Sequence, residues 1–227
     1  YIYKNESSID LEFLELKKAL KEEFYFFSNQ FEKLKEVCNT FNRTDNSEVN
    51  LMVYSLQTMA DLKTKTKKPR GLSLFLREID DCNCIDNPKY LRYYTTLISG
   101  VLNEGETYKW ASKALSLIDK YNLNYTQQGI NIRVEIAKQY AANNNISDAL
   151  KIYNEIYSHL SKKNKLSFQE LPYIQTLYGL GEIYLVSNKL DKAKIYLEKL
   201  ENLNDVTSST IEIIRENYRY SLKLRYL

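Results

Sequence analysis

The side chains that could do acid–base or metal chemistry are few and scattered. His159 is the single histidine, and the three cysteines are Cys38, Cys82 and Cys84. Cys82-Asn83-Cys84 has the form of half a zinc site, but a structural zinc needs four ligands and His159 is distant in sequence. The chain contains no Gly-rich nucleotide loop and no H-E-x-x-H motif. We therefore predict no enzymatic activity, no metal and no cofactor.

Charged side chains are dispersed along the chain. The adjacent acids Asp80 and Asp81 diverge by roughly 100° on a helix, so we expect them to be solvated. The basic run KTKTKKPR, residues 63–70, has no interleaved aromatic residue, which favours a solvated loop over a nucleic-acid patch. The net charge is only +3, with Lys and Glu interspersed, so no basic face for nucleic acid is predicted.

The amino-acid composition indicates the cellular compartment that we expect for the chain. The chain has 227 residues, 44% of them apolar, yet no apolar run is long enough to span a membrane and no signal peptide opens it. An odd number of cysteines predicts free thiols in a reducing, cytoplasmic environment. The first residue is Tyr1 rather than Met, which suggests a fragment of a longer product.

The remaining signal is a recurring amphipathic helix. In this pattern, small or apolar residues occupy positions i, i+4 and i+7. That spacing places all three on one helix face. The pattern occurs in three segments, as Ala111, Leu115 and Ile118, as Ala149, Tyr153 and Ile156, and as Ala193, Leu197 and Leu200. Recurrence of this kind is typical of a repeat array.

In each segment, a second small residue lies twelve positions before the first residue of this pattern. The pairs are Ser99 and Ala111, Ala137 and Ala149, and Gly181 and Ala193, with Ala60 and Leu72 as a weaker case. We interpret each pair as two helices joined by a tight turn, with small residues where the backbones approach closely. Gly181 and Ala193 are accordingly expected to face each other.

This pattern resembles the tetratricopeptide repeat, although it lacks the first-slot Trp and the closing Pro. The residues that fit best are Leu177, Gly181, Tyr184, Ala193 and Leu197. We predict an all-α single domain over 1–227, a right-handed superhelix of about five helix pairs with a C-terminal capping helix. The pairs are expected near 9–42, 47–84, 88–121, 126–160 and 167–203, and the cap at 207–226.

In tetratricopeptide proteins the concave face, lined mainly by first helices, usually holds an extended peptide. Counting from the small residue of each first helix predicts which side chains point inward. The predicted peptide-binding residues are Tyr54, Gln57, Tyr93, Thr96, Asn103, Asn131, Lys138, Gln175, Tyr178 and Glu182. Their amide and phenol groups can satisfy the backbone of a bound strand, while Lys138 and Glu182 can read charges.

The segment INIRVEIAKQYAANNNISDALKIYNEI, residues 130–156, is most similar to the PlcR/NprR/Rgg-like peptide-pheromone regulators of Gram-positive bacteria. That resemblance implies a cytoplasmic quorum-sensing domain of a transcriptional regulator that binds a short peptide and forms a homodimer. DNA would be bound only through an N-terminal domain absent from this chain. Two alternatives remain open: a general tetratricopeptide scaffold, and a Rap-like regulator that binds a protein partner.

Overall fold

The computed structural model describes residues 30–65, 70–100, 104–162, 170–203 and 209–226. These residues form α-helices and one 3₁₀ helix, with no β-strand among them, as the all-α prediction requires. The helices are α1 (Phe31–Asn39), α2 (Ser47–Lys63), α3 (Arg70–Cys82), the 3₁₀ helix (Pro88–Tyr93), α4 (Tyr94–Gly100), α5 (Glu104–Lys120), α6 (Gln127–Ala142), α7 (Ile146–Leu160), α8 (Glu170–Val186), α9 (Leu190–Glu201) and α10 (Ser209–Tyr226). None of the described helices is long and apolar enough to cross a membrane.

The helices agree with the predicted pairs over most of the described chain. The predicted pair 47–84 is α2 with α3, the pair 126–160 is α6 with α7, and the cap is α10. The first helix of the pair 9–42 lies outside the described residues. The chain divides into two compact units, residues 1–107 and 108–227, and the single repeat domain stays a prediction.

In unit 1, α2 and α3 pack against each other at a glycine. A β-carbon on Gly71 would lie 2.4 Å from the backbone nitrogen of Thr58, so the two backbones meet there. The sequence pattern assigned this contact to Ala60 and Leu72. Ala60 is fully buried, but Leu72 is partly exposed. Gly71, and not Leu72, is the α3 residue at the closest contact with α2. Only a residue without a side chain allows this approach.

The third predicted pair begins differently from the prediction. The first helix expected for the pair 88–121 is divided between the 3₁₀ helix and the short α4. Asn87 accepts a hydrogen bond from the Lys89 backbone N–H at 2.9 Å, and Pro88 occupies the first turn. The fully buried side chains Tyr94 and Leu97 then fix α4 in the core of unit 1.

In unit 2, both helix pairs turn in the same way. Asn144 and Asn188 follow α6 and α8 with positive φ angles of 62° and 55°. The next backbone N–H donates to the carbonyl of Tyr140 in the first turn and of Tyr184 in the second, each at 2.8 Å. Asparagine is among the few residues that adopt this left-handed conformation readily. The two turns therefore have the same local geometry.

The small residues of the pattern are buried, but one assigned contact is wrong. Ala137 and Ala149 are fully buried, and Ala193 is 2% exposed. At Gly181, however, a β-carbon would lie 2.9 Å from Cδ1 of Leu222 in α10, and that leucine supplies all of its nearest atoms. Gly181 therefore makes room for the capping helix, instead of facing Ala193.

The expectation of three free thiols is wrong for two of the cysteines. Cys82 and Cys84 form a disulfide at the end of α3, across a Cα–Cα distance of 5.1 Å. Asn83 between them has a positive φ of 45°, a conformation that asparagine tolerates and that brings its two neighbours together. Cys38 remains a buried thiol in α1.

Candidate functional site

Four of the predicted peptide-binding residues lie inside unit 1: Tyr54, Gln57, Tyr93 and Thr96. Each is 4–7% exposed, so these side chains pack in the interior and do not line an open groove. The Tyr54 ring meets Phe41 edge-on at 5.9 Å, and Gln57 donates to the side chain of Asn39 at 3.3 Å. The prediction of their exposure fails because neighbouring elements cover the first-helix positions of this unit.

The remaining predicted residues lie in different surroundings. Asn103 lies outside the described residues. In unit 2, Asn131 on α6 is exposed and Gln175 on α8 is partly exposed, and neither lines the cavity described next. Lys138 and Glu182 do come together, one on α6 and the other on α8.

Lys138 and Glu182 share a cavity of about 340 Å³ within unit 2, here called the Lys138–Glu182 cavity. Its lining comes from α6, α7, α8 and the turn after α6, and includes Lys138, Ile146, Tyr153, Gly179, Glu182 and Val186. Val186 is 77% exposed, so the cavity has apolar surface that reaches solvent. An apolar lining with a few polar groups is the usual make-up of a ligand site.

The phenol of Tyr153 is an uncharged polar group in the lining of this cavity. Burial raises the pKa of Tyr153 above its ordinary value, and the carboxylates of Glu135 and Glu182 raise it further. The hydroxyl therefore stays neutral, and it has no hydrogen-bond partner in the described part of the chain. A neutral phenol can donate one hydrogen bond to a ligand and accept others from it.

The two charged residues differ in how firmly they are held. Lys138 is 65% exposed, and its Nζ donates to Glu135 Oε2 at 3.4 Å, the geometry of a loose surface pair. Glu182 is held by two partners, because it accepts from the Tyr178 hydroxyl at 2.7 Å and pairs with Arg225 of α10. The cavity thus has an exposed cation on α6 and a carboxylate held by two partners on α8.

The capping helix α10 covers the predicted binding residue Tyr178. The Tyr178 and Tyr218 rings stack with centroids 4.3 Å apart, and the Tyr178 hydroxyl lies 3.3 Å from Oγ of Ser221. Burial raises the pKa of Tyr178. This tyrosine therefore packs against α10 and donates to Glu182, a different role from the predicted contact with a bound peptide.

Sequence reasoning missed two residues of this site. Tyr153 fits the second-helix pattern, which assigns it to the packed face of that helix. Gly179 lies opposite the Tyr153 ring, and a glycine at that position leaves space for the ring. Arg225 lies beyond the repeats, and no spacing rule connects it with Glu182. In the described ranges no group of three or more His, Cys, Asp or Glu residues is placed to hold a metal ion.

Comparison with known proteins adds no assignment. The chain matches no protein-family profile, no curated protein sequence and no solved structure. The resemblance to tetratricopeptide proteins therefore stays a prediction from the residue pattern.

Proposed function

We propose that this chain binds a short signalling peptide in the Lys138–Glu182 cavity. The observation that carries the proposal is that two residues, chosen from the repeat register alone, line one cavity together with a neutral phenol. The right-handed superhelix, whose concave face would contain this cavity, is part of the same proposal. Since a peptide carries charges at its ends and amides between them, it matches a site with a cation, an anion and a phenol.

The apolar walls define the kind of side chain that the peptide inserts. Ile146, Ile183 and Val186 line the cavity, and its 340 Å³ can hold a single large apolar side chain rather than a whole peptide. The rest of the peptide would lie across the mouth, where Lys138 is exposed. We therefore expect a ligand with an apolar anchor flanked by an acidic and a basic group.

A regulatory role follows from the contact between Glu182 and α10. A ligand cation that pairs with Glu182 competes with Arg225, so ligand binding and the position of the capping helix are linked. Such coupling suits the sensor domain of a peptide-pheromone regulator. Homodimerisation and an N-terminal DNA-binding domain belong to this proposal through the family resemblance only.

A selection experiment tests the proposal. The full chain is used to select binders from a display library of short random peptides, and affinities are then measured for the wild type, Lys138→Ala and Glu182→Gln. We expect each substitution to weaken the selected peptides by about five- to 150-fold, the effect of losing one charged hydrogen bond. Lys192→Ala, an exposed change on α9, is the matched control and should leave affinity unchanged.

Two outcomes would count against the proposal. If the library yields no binder, the peptide-binding function fails. If selected peptides bind the Lys138 and Glu182 variants as tightly as the wild type, they bind elsewhere, and the general scaffold interpretation gains.

A further inference from the structure

A second cavity in unit 2 contains a buried arginine that is only half paired. The Arg133 side chain on α6 is 4% exposed, and its Nη2 donates to Glu155 of α7. Its Nη1 is buried and has no hydrogen-bond partner in the described part of the chain. A guanidinium can bind a carboxylate through two parallel hydrogen bonds, and here one of its two terminal nitrogens has no acceptor among the described residues.

The arginine lines a cavity of about 540 Å³, large enough for a small organic molecule. The walls combine apolar and aromatic side chains from α5, α6, α7 and the loop before α6, among them Leu115, Tyr125, Tyr140 and Ile152. Tyr125 is 51% exposed and stacks on His159 at 3.9 Å, at the open side. This cavity shares no lining residue with the Lys138–Glu182 cavity.

The partner of Arg133 is much more exposed than the arginine itself. Glu155 is 47% exposed, whereas the arginine that it binds is almost wholly buried. A buried cation requires a counter-ion, but a flexible side chain at the surface can be replaced in that task by a carboxylate from a ligand. Glu155 thus occupies the place where an incoming carboxylate would bind.

Other charges in the cavity restrict the class of ligand. Asp119 and Asp148 line it, each held by an asparagine: Asn124 donates to Asp119 at 2.9 Å and Asn145 to Asp148 at 2.8 Å. These carboxylates repel a multiply charged anion and attract an amine. Lys151 also lines the cavity and has no ion-pair partner among the described residues.

We propose that the Arg133 cavity binds a small zwitterion, whose carboxylate pairs with Arg133 and whose ammonium group lies near Asp119 and Asp148. This chemistry is that of a free amino acid or of a very short peptide. The inference is independent of the proposed peptide site, since it concerns a different cavity with no lining residue in common.

Calorimetry with defined probes tests this proposal. The probes are the free L-amino acids and Gly-Gly-X tripeptides, each compared with its C-terminal amide. We expect at least one carboxylate probe to bind the wild type and its amide to bind about tenfold or more weakly, because amidation removes the charged acceptor. The arm that binds distinguishes an amino acid from a peptide. If no probe binds, or if amides bind equally well, the proposal is overturned.

A rescue experiment covers the case in which changes at Arg133 impair folding. Glu155→Ala leaves the buried guanidinium without its counter-ion, so the variant should melt below the wild type. The bound carboxylate probe should raise its melting temperature more than it raises that of the wild type. Arg133→Met/Glu155→Ala has no buried charge to neutralise and should show no such gain. An equal gain in both variants would assign the effect to another site.

Discussion

Gly179 of α8 faces the ring of Tyr153 in α7 so closely that no side chain fits between them. A β-carbon at position 179 would lie 2.4 Å from Cζ and 2.6 Å from the hydroxyl oxygen of that tyrosine. The phenol therefore reaches the Lys138–Glu182 cavity only because residue 179 is a glycine. The absence of a side chain at position 179 therefore allows the Tyr153 ring to line the proposed binding site.

Gly179→Ala should destabilise the protein and alter the cavity. The new methyl group must displace the buried Tyr153 ring, which we expect to cost about 1–3 kcal/mol of unfolding free energy. Denaturant unfolding measures the cost. Gly105→Ala, at an exposed position in α5, is the matched control and should have little effect. A Gly179→Ala variant as stable as the wild type would show that the close contact is absent.

Gly71→Ala should destabilise more than Gly179→Ala. The obstacle at Gly71 is the backbone of Thr58 and Gln57, which cannot rotate away as a side chain can. We expect a loss of about 3 kcal/mol or more, at the upper end of overpacking effects. The measurement is the same unfolding experiment on both variants. The reverse order of stabilities would contradict the helix contact described for unit 1.

Acid should weaken unit 1 through Glu78. This carboxylate is buried, and burial alone would raise its pKa, but hydrogen bonds from Arg43 at 2.8 Å and Asn50 at 3.1 Å outweigh burial and lower it. A depressed folded-state pKa adds stability above the unfolded value of about 4.3, and that stability is lost as the pH falls through the folded value.

The test compares unfolding free energies of the wild type and Glu78→Gln across acid and neutral pH. At neutral pH the variant should be less stable by about 1–3 kcal/mol, because buried partners lose a charged acceptor. The difference should shrink as the pH falls below about 4. Glu36→Gln, on the exposed face of α1, should follow the wild type throughout. A pH-independent difference would rule out the ionised network.

Arg225→Ala should leave stability nearly unchanged and improve binding of basic ligands. Arg225 is 57% exposed, and an ion pair at that level of exposure contributes about 0–1 kcal/mol. Its removal frees Glu182 for a cation on the peptide. We expect higher affinity for selected peptides that contain Lys or Arg, and no gain for peptides without them. An equal change in affinity for peptides with and without Lys or Arg would show that Glu182 does not recognise a basic group.

The sequence predicted the helices well because local signals define them. Periodic apolar residues mark the helices without knowledge of what surrounds them. The contacts assigned to the small residues were less reliable, since Gly181 meets Leu222 of α10 and not Ala193. The 3₁₀ helix at Pro88–Tyr93 was missed because the apolar pattern continues through it. The hydrogen bond accepted by Asn87 and the position of Pro88 in the first turn leave that pattern unchanged.

The site was less predictable, because exposure depends on the neighbours of each helix. The same register rule predicted Tyr54 and Lys138 as inward-facing, yet the first is 6% exposed and the second is largely exposed. The contact of Glu182 with Arg225 joins residues that lie 43 positions apart. Neither spacing nor composition predicts such a tertiary contact.

The most direct test places a reporter on Tyr153. With 3-fluorotyrosine incorporated at position 153 alone, fluorine NMR is recorded as a selected peptide is added. We expect the resonance to shift in proportion to occupancy, and Glu182→Gln to weaken that titration. The same label at Tyr125, which lines the Arg133 cavity instead, should not respond. A peptide that binds with no change at Tyr153 would contradict binding in the Lys138–Glu182 cavity.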